Sequence, residues 1–233
     1  MPDKGSRGFF ITGTDTGVGK TLASVALTRA LVARGLRVAV MKPVAAGTVK
    51  TPEGEFNDDA LDLLAASNVK AAYEDVNPWL LQTPASPHLA ARFEGVSIRH
   101  ERIVGAYLRL AKEADILLAE GAGGWLAPIS TTETMADVAE RLALPVIMIV
   151  GLRLGCLNHA LLTRDGIRAR GLPFAGWIAN RLQSEMPFAN ANIETLTTRF
   201  GVAPLGVIPV GTDPRSLPTP TWAIEAAENL VSP

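Results

Sequence analysis

The sequence predicts an α/β fold: a doubly wound, mostly parallel sheet with helices on both faces. Three observations carry this. Short, nearly continuous apolar runs recur along the chain, as in strands buried on both faces. Helical patterns separate them. The first run leads through the loop Gly13-Thr14-Asp15-Thr16-Gly17-Val18-Gly19-Lys20-Thr21 into a helix. Strand, glycine-bearing loop and helix in that order are the context of a phosphate-binding loop, so the fold expected is P-loop NTPase-like. The 233 residues are 48% hydrophobic, enough to bury the core of one domain over residues 1–233.

The run Gly8-Phe9-Phe10-Ile11-Thr12 is the first strand. In the loop after it, backbone N–H groups and the helix N-terminus present positive partial charge to an anion. Lys20 would reach the β- and γ-phosphates, and the Thr21 hydroxyl would ligate magnesium. The spacing departs from the standard loop, because Thr14 stands where a glycine is usual and Gly13 comes one residue early. The plain alternative is an ordinary glycine turn entering a helix. That helix runs from Thr21 to Ala33, with Leu22, Val25, Ala26, Leu31 and Val32 at helical spacing, and Gly35 ends it.

Leu36 to Met41 reads as a buried strand, interrupted only by Arg37, and completes a right-handed βαβ unit. Ligands on open parallel sheets gather beyond the carboxyl ends of the strands. Lys42 opens such an end in Lys42-Pro43-Val44-Ala45-Ala46-Gly47. Asn57-Asp58-Asp59 begins a helix. Asn57 or Asp58 would cap it, and Asp59 could hold magnesium; spacing favours the cap.

Tyr73 to Ser86, rich in proline and turn formers, reads as a long structured loop. His88 is better read as a capping or surface residue than as a ligand. His100 sits in the charged run Arg99-His100-Glu101-Arg102, a solvated helix start, and that helix runs to about Ala114. Asp115 to Glu120 is the next buried strand. Glu120 at its end is a candidate metal carboxylate or a capping glutamate, and the following glycines allow close backbone approach to a ligand. Met135 to Leu142 is helical and Pro145 to Val150 is a strand. A helix opens within Gly151–Ala160, with Asn158 as a possible cap, or with its free N–H groups receiving a carboxylate. Phe174 to Asn180 and Pro204 to Pro209 are further strands, and Trp222 to Val231 is a closing helix.

Net charge is −1, with no basic stripe and no polybasic segment, so neither nucleic acid nor a membrane is an expected partner. The one cysteine, Cys156, excludes an internal disulfide and reads as a small buried group. Met1–Gly8 is polar and lacks the apolar stretch of a signal peptide. A cytoplasmic protein is expected.

Eight short motifs, in this order, resemble those of the dethiobiotin synthetase family over nearly the whole chain. They are the loop at 13–21, Lys-Pro-Val at 42–44, Asp-Ala-Leu at 59–61, Val-Asn-Pro at 76–78 and Ser-Pro-His at 86–88. Glu-Gly-Ala-Gly-Gly-Trp at 120–125, Leu-Gly-Cys-Leu-Asn-His-Ala at 154–160 and Gly-Trp-Ile-Ala-Asn at 176–180 follow. The resemblance implies conversion of 7,8-diaminononanoate, carbon dioxide and ATP to dethiobiotin, ADP and phosphate, with magnesium. It implies that Lys20 and Lys42 hold phosphates and carbamate, and that Thr21, Asp59 and Glu120 surround the metal.

By the same resemblance, Gly17, Val18, Gly19, Lys20, Thr21 and Leu22, with Glu120, Gly121, Ala122 and Gly123, wrap the triphosphate. Asn180 reads the adenine, and Pro209, Val210 and Gly211 lie along the nucleoside. Thr16, Lys42 and Ala46 face the substrate. Its carboxylate is held near Gly155, Cys156 and Asn158 across the interface of a homodimer. Ala46 departs from the family pattern, which has a serine or threonine there. Two other readings of the residues compete: a partner-binding switch ATPase on the same scaffold, and a cobyrinate-type amide ligase, for whose extra glutaminase domain 233 residues leave no room. The first does not account for Lys42 together with Glu120.

Overall fold

The computed structural model describes residues 7–213 and 218–231. Six parallel strands form the central sheet: β1 (Arg7–Gly13), β2 (Val38–Met41), β7 (Ile116–Glu120), β8 (Val146–Leu152), β9 (Phe174–Arg181) and β10 (Gly206–Ile208). Their order is β10-β9-β8-β1-β7-β2, so β1 and its loop lie in the middle, between β7 and β8. That is the point where successive connections leave for opposite edges, where open α/β sheets bind ligands.

The helices are α1 (Lys20–Ala33), α2 (Asp58–Ala66), α3 (Tyr73–Val76), α4 (Pro87–Phe93), α5 (His100–Glu113), α6 (Met135–Leu142), α7 (Cys156–Ala169), α8 (Ala189–Phe200) and α9 (Thr221–Val231). Side-chain parity sorts them onto the two faces of the sheet. Ile116, Leu118, Ile147, Ile149 and Ile178 pack with Leu27 and Leu31 of α1 and Trp222 and Ala223 of α9. Leu117 and Ala119 turn the other way, onto Ile103 and Ala106 of α5 and Val138 of α6. Met148, Val150 and Trp177 likewise meet Ala160 of α7 and Leu196 and Phe200 of α8. Fully buried runs such as Val-Ile-Met-Ile-Val-Gly-Leu in β8 follow from cover on both faces.

Two small sheets stand apart from the main one. β3 (Val44–Ala46) pairs in parallel with β6 (Trp79–Leu81), and β4 (Val49–Thr51) pairs antiparallel with β5 (Gly54–Phe56). The segment 73–86 is therefore not the loop expected from its prolines; it carries α3 and β6. Three-residue strands are too short to show a period in sequence. His100 also differs from expectation. It is buried at the start of α5, and its Nε2 lies 3.0 Å from Glu133 Oε1. Gly151 and Leu152 finish β8 rather than opening a helix, and Gly155, not Asn158, caps α7. Residues 182–203, unassigned from sequence, contain α8.

Candidate active site

The site begins at the carboxyl end of β1. Gly19 caps α1 in a left-handed conformation, φ 88°, and a Cβ there would lie 2.2 Å from Asn180 Nδ2. Only glycine fits both conditions. Thr14 N–H donates to Ile149 O (3.0 Å), tying the loop to β8. Asp15 Oδ1 accepts the Thr16 N–H at 2.7 Å, and its other oxygen pairs with the Arg153 guanidinium from the turn after β8. The Lys20 side chain folds back so that Nζ donates to Asp15 O (3.1 Å).

Parity then places the charges. Glu120 follows Leu118 on the α1 face of β7, and Lys42 follows Val38 and Val40 on the same face of β2. Met41 is in register with Ala119, so Lys42 and Glu120 come level on adjacent strands. Lys42 Nζ donates to Glu120 Oε1 (2.6 Å) and to Asp59 Oδ2 (2.7 Å). The Thr21 hydroxyl, on the first turn of α1, also donates to Glu120 Oε1 (2.9 Å). Asp59 comes from the first turn of α2, where Asn57 is the cap and accepts the Ala60 N–H (3.3 Å). The cap expected in this stretch is thus Asn57, and Asp59 turns its carboxylate to Lys42.

Burial works against the charged form of these groups, and their neighbours offset it to different degrees. For Lys42, burial pushes the ammonium down, but Glu120 and Asp59 together hold it above the ordinary lysine value. For Asp59, burial pushes the carboxyl up, but Lys42 holds it below the usual range. Lys20 has less compensation. Burial and then the charge of Lys42 bring it to about 8.

These residues line one cleft of about 790 Å³. Thr16, Gly17, Gly19, Lys20, Thr21, Lys42, Asp59, Ala122 and Gly123 bound its charged side. Ala45, Ala46, Pro84, Ala85, Ser86, Pro87, Ala127 and Pro128 also line it and form a largely apolar wall. The cleft therefore joins an anion site to a surface suited to a hydrocarbon chain. Among the expected residues, Thr16, Lys42 and Ala46 stand together here. Glu120 lies beneath it, 1% exposed, and its Oε2 is buried without a hydrogen-bond partner.

Comparison with known proteins bears on what the cleft serves. A family model described as an AAA domain matches residues 7–214. The ATP-dependent dethiobiotin synthetase BioD of Cellvibrio japonicus is 47% identical over 203 residues, covering 87% of this chain and 89% of its own. Its counterpart in Vibrio parahaemolyticus is 48% identical, covering 86% and 88%. The one in Xanthomonas oryzae is 48% identical, covering 86% and 90%. The chain belongs to the dethiobiotin synthetase family.

Solved structures extend the likeness in fold alone. The MinD cell division protein of Aquifex aeolicus superposes with a TM-score of 0.60 at 17% identity, covering 96% of both chains. A ParA family ATPase from Chlorobium tepidum gives 0.54 at 16%, covering 89% of this chain and 85% of that one.

Other residues that the dethiobiotin synthetase motifs single out lie around the cleft rather than in its lining. Val18 is buried, and its side chain packs into the core under α1, as does that of Leu22. Gly121 is buried against the Phe10 ring, and its N–H donates to Ile11 O (2.9 Å). Asn180 is buried and donates from Nδ2 to Val18 O (2.8 Å), so it braces the loop from β9. Ile208 is in register with Asn180, which starts the exposed Pro209–Gly211 turn at the level of that side chain. Pro209 and Gly211 line a separate hollow with Thr212, Asp213 and Trp222. Gly155 and Asn158 are exposed at the start of α7 and Cys156 is buried there, none of them in the cleft of their own chain.

The Asp15–Arg153 pair and the apolar wall were not expected from sequence. The pair joins residues 138 apart and leaves no local signal. The Ser86-Pro87 part of the wall lies within a motif that resembles the family's, without a role read for it.

Proposed function

We propose that this chain makes dethiobiotin from 7,8-diaminononanoate, carbon dioxide and ATP, with magnesium, in biotin biosynthesis. The observation that carries the reading is Lys42: a buried ammonium between two carboxylates at the floor of a cleft that also holds the phosphate loop. A simple nucleotide switch has no use for such a cation. Two anionic reactants brought together do.

The oxygens of Thr21, Asp59 and Glu120 suit magnesium, a hard cation that favours carboxylates and phosphate oxygens. The unpartnered, buried Glu120 Oε2 supports that assignment. Bound there, the ion would neutralise charge on the β- and γ-phosphates. The residues of this chain do the rest. Lys20 and Lys42 disfavour the ammonium form of the diamine, since like charges repel. One neutral amine attacks carbon dioxide, forming a C–N bond and releasing a proton. The resulting carbamate oxygen attacks the γ-phosphorus as ADP departs. The second amine attacks the carbonyl of this mixed anhydride. Phosphate leaves, the amine proton is lost, and the cyclic urea remains. Lys42 and Lys20 screen the first anion–anion encounter and stabilise the departing phosphates in a fixed arrangement.

Residues 17–22, through backbone N–H groups at the start of α1, and residues 120–123 wrap the triphosphate. Asn180, with one Nδ2 hydrogen donated to Val18 O, reads the base with the rest of its amide, and Pro209–Gly211 flank the nucleoside. The apolar wall accepts the aliphatic chain. The Gly155–Asn158 turn, where Gly155 and Asn158 are exposed on their own subunit, receives the substrate carboxylate of a second subunit in a cytoplasmic homodimer. No helix among the described residues is long and apolar enough to cross a membrane.

The test supplies diamine, bicarbonate, magnesium and ATP and follows phosphate. Release that requires both diamine and bicarbonate supports the reading. Release indifferent to them, and stimulated by protein or lipid, supports a switch ATPase instead.

A further inference from the structure

We infer that Asn77 and Tyr73 are positioning residues, a buried hydrogen-bond brace that fixes Lys42 relative to the helix carrying Asp59. The reaction it serves rests on the functional reading above; the brace rests on geometry.

Both backbone groups of Lys42 are taken by consecutive residues of one segment. Its N–H donates to Val76 O (2.7 Å), and its carbonyl accepts from Asn77 Nδ2 (2.7 Å). The second Nδ2 hydrogen goes to Trp79 O (3.3 Å). Asn77 Oδ1 accepts from the Tyr73 hydroxyl (3.2 Å), which in turn accepts the Asn57 N–H (2.8 Å). Asn57 is the cap of α2, and its Nδ2 donates to Gly47 O (3.0 Å). The chain of bonds therefore runs from the backbone of Lys42 to the first turn that presents Asp59.

The directions are forced. A backbone N–H can only donate, so the Tyr73 oxygen accepts from Asn57 and spends its one proton on Asn77 Oδ1. That leaves Asn77 Nδ2 for the two carbonyls, with the amide in a single orientation. Asn77 is 2% exposed and does not line the cleft, so it acts through Lys42 rather than on a ligand. An unsatisfied amide at such a depth would cost about 1–3 kcal/mol. Here every polar atom of the side chain is used, and the bonds reach the backbone of Lys42 and, through Tyr73, the cap that presents Asp59. Displacing a catalytic group by 1 Å can cost about a hundredfold in rate, which makes such bracing consequential. The same network gives the Val-Asn-Pro motif a purpose.

Tyr73→Phe is the mild probe, because it removes one oxygen and keeps the ring's edge contact with Phe56. Asn77→Ala is the stronger one. Three quantities are read on wild type and variants: kcat, nucleotide affinity by displacement of a fluorescent ATP analogue, and the Lys42–Asp59 contact in a crystal structure of Tyr73→Phe. The expected result is a kcat lowered about tenfold, ATP affinity within about twofold of wild type, and a longer Lys42 Nζ–Asp59 distance. A folded Tyr73→Phe with wild-type kcat and the 2.7 Å contact intact overturns the inference. So does a parallel fall in kcat, nucleotide affinity and melting temperature, which marks general loosening. If wild type shows no diamine-dependent turnover, the functional reading fails, while the contact length in Tyr73→Phe still decides the brace.

Discussion

Lys42 and Glu120 stand level on neighbouring parallel strands, with Nζ 2.6 Å from Oε1, and both are buried. Neither charge would be stable there alone. Removing one partner of a buried pair leaves the other uncompensated, at a typical cost of about 3–5 kcal/mol. Lys42→Ala should therefore lower stability by about 3 kcal/mol in the ligand-free protein, read by urea unfolding. It should also abolish detectable turnover, a loss of at least about 10²–10³ in kcat. Nucleotide affinity should stay within a few fold, because the loop at 17–21 is left intact. Near-normal turnover in Lys42→Ala would remove this residue from the reaction.

Lys20 carries a pH signature. Its folded value, about 8, lies below the ordinary 10.5, so the folded chain releases that proton before the unfolded chain does. Below pH 8 both states are protonated, and the folded state bears the cost of the buried charge. Between 8 and 10.5 the unfolded state holds more protons, so stability of the ligand-free protein rises with pH across that window. Phosphate binding needs the ammonium. ATP affinity should thus fall about tenfold between pH 7 and 9, and binding near pH 8 should take up a proton. Calorimetry in two buffers of different ionisation heat measures the uptake; an affinity flat over this range would contradict it.

Gly19→Ala tests the loop itself. The left-handed φ strains any side chain, and the added carbon would strike Asn180 Nδ2 at 2.2 Å, breaking its bond to Val18 O. Strain of this kind costs about 1–3 kcal/mol. The loop can relieve it only by moving the N–H groups aimed at the phosphates. The variant should fold, with ATP affinity reduced by about a hundredfold or more in equilibrium titration. Gly17→Ala, where nothing lies within 4 Å of the added carbon, should do less, through φ alone. Equal effects would show that the Asn180 contact is unimportant.

The parts legible in sequence share one property: their signal is local. The apolar runs of β1, β7 and β8 and the glycine loop need no partner to be read. Lys42 and Glu120 stand out because Glu120 ends one buried strand and Lys42 directly follows another, and strand parity brings them to one face. What stayed hidden depends on distant pairing. Arg153 meets Asp15 across 138 residues, and Asn77 reaches Lys42 across 35. His100 reads as surface from its charged neighbours, yet its place at the start of α5 turns it toward Glu133. The helix α8 was concealed differently. Asn190 and Asn192 are poor helix formers, and its stability comes from burying Leu196 and Phe200, one turn apart, against Trp177.

Ala46 offers a test in the direction of gain. It lines the cleft at the end of β3, in register with Leu81, on the same wall as Ala45 and Pro84. A methyl group there contributes packing but no hydrogen bond. The family pattern has a hydroxyl at this position, and a net hydrogen bond is worth about 0.5–1.5 kcal/mol, or more to a charged group. Ala46→Ser adds one oxygen to a half-buried residue beside open volume, so overpacking is not expected. The diamine KM should fall about threefold or more, with kcat and ATP affinity nearly unchanged, since the bond would form equally in the bound substrate and the transition state. A KM that stays constant would place the diamine away from this wall. A KM that rises would show that the site is shaped around the alanine.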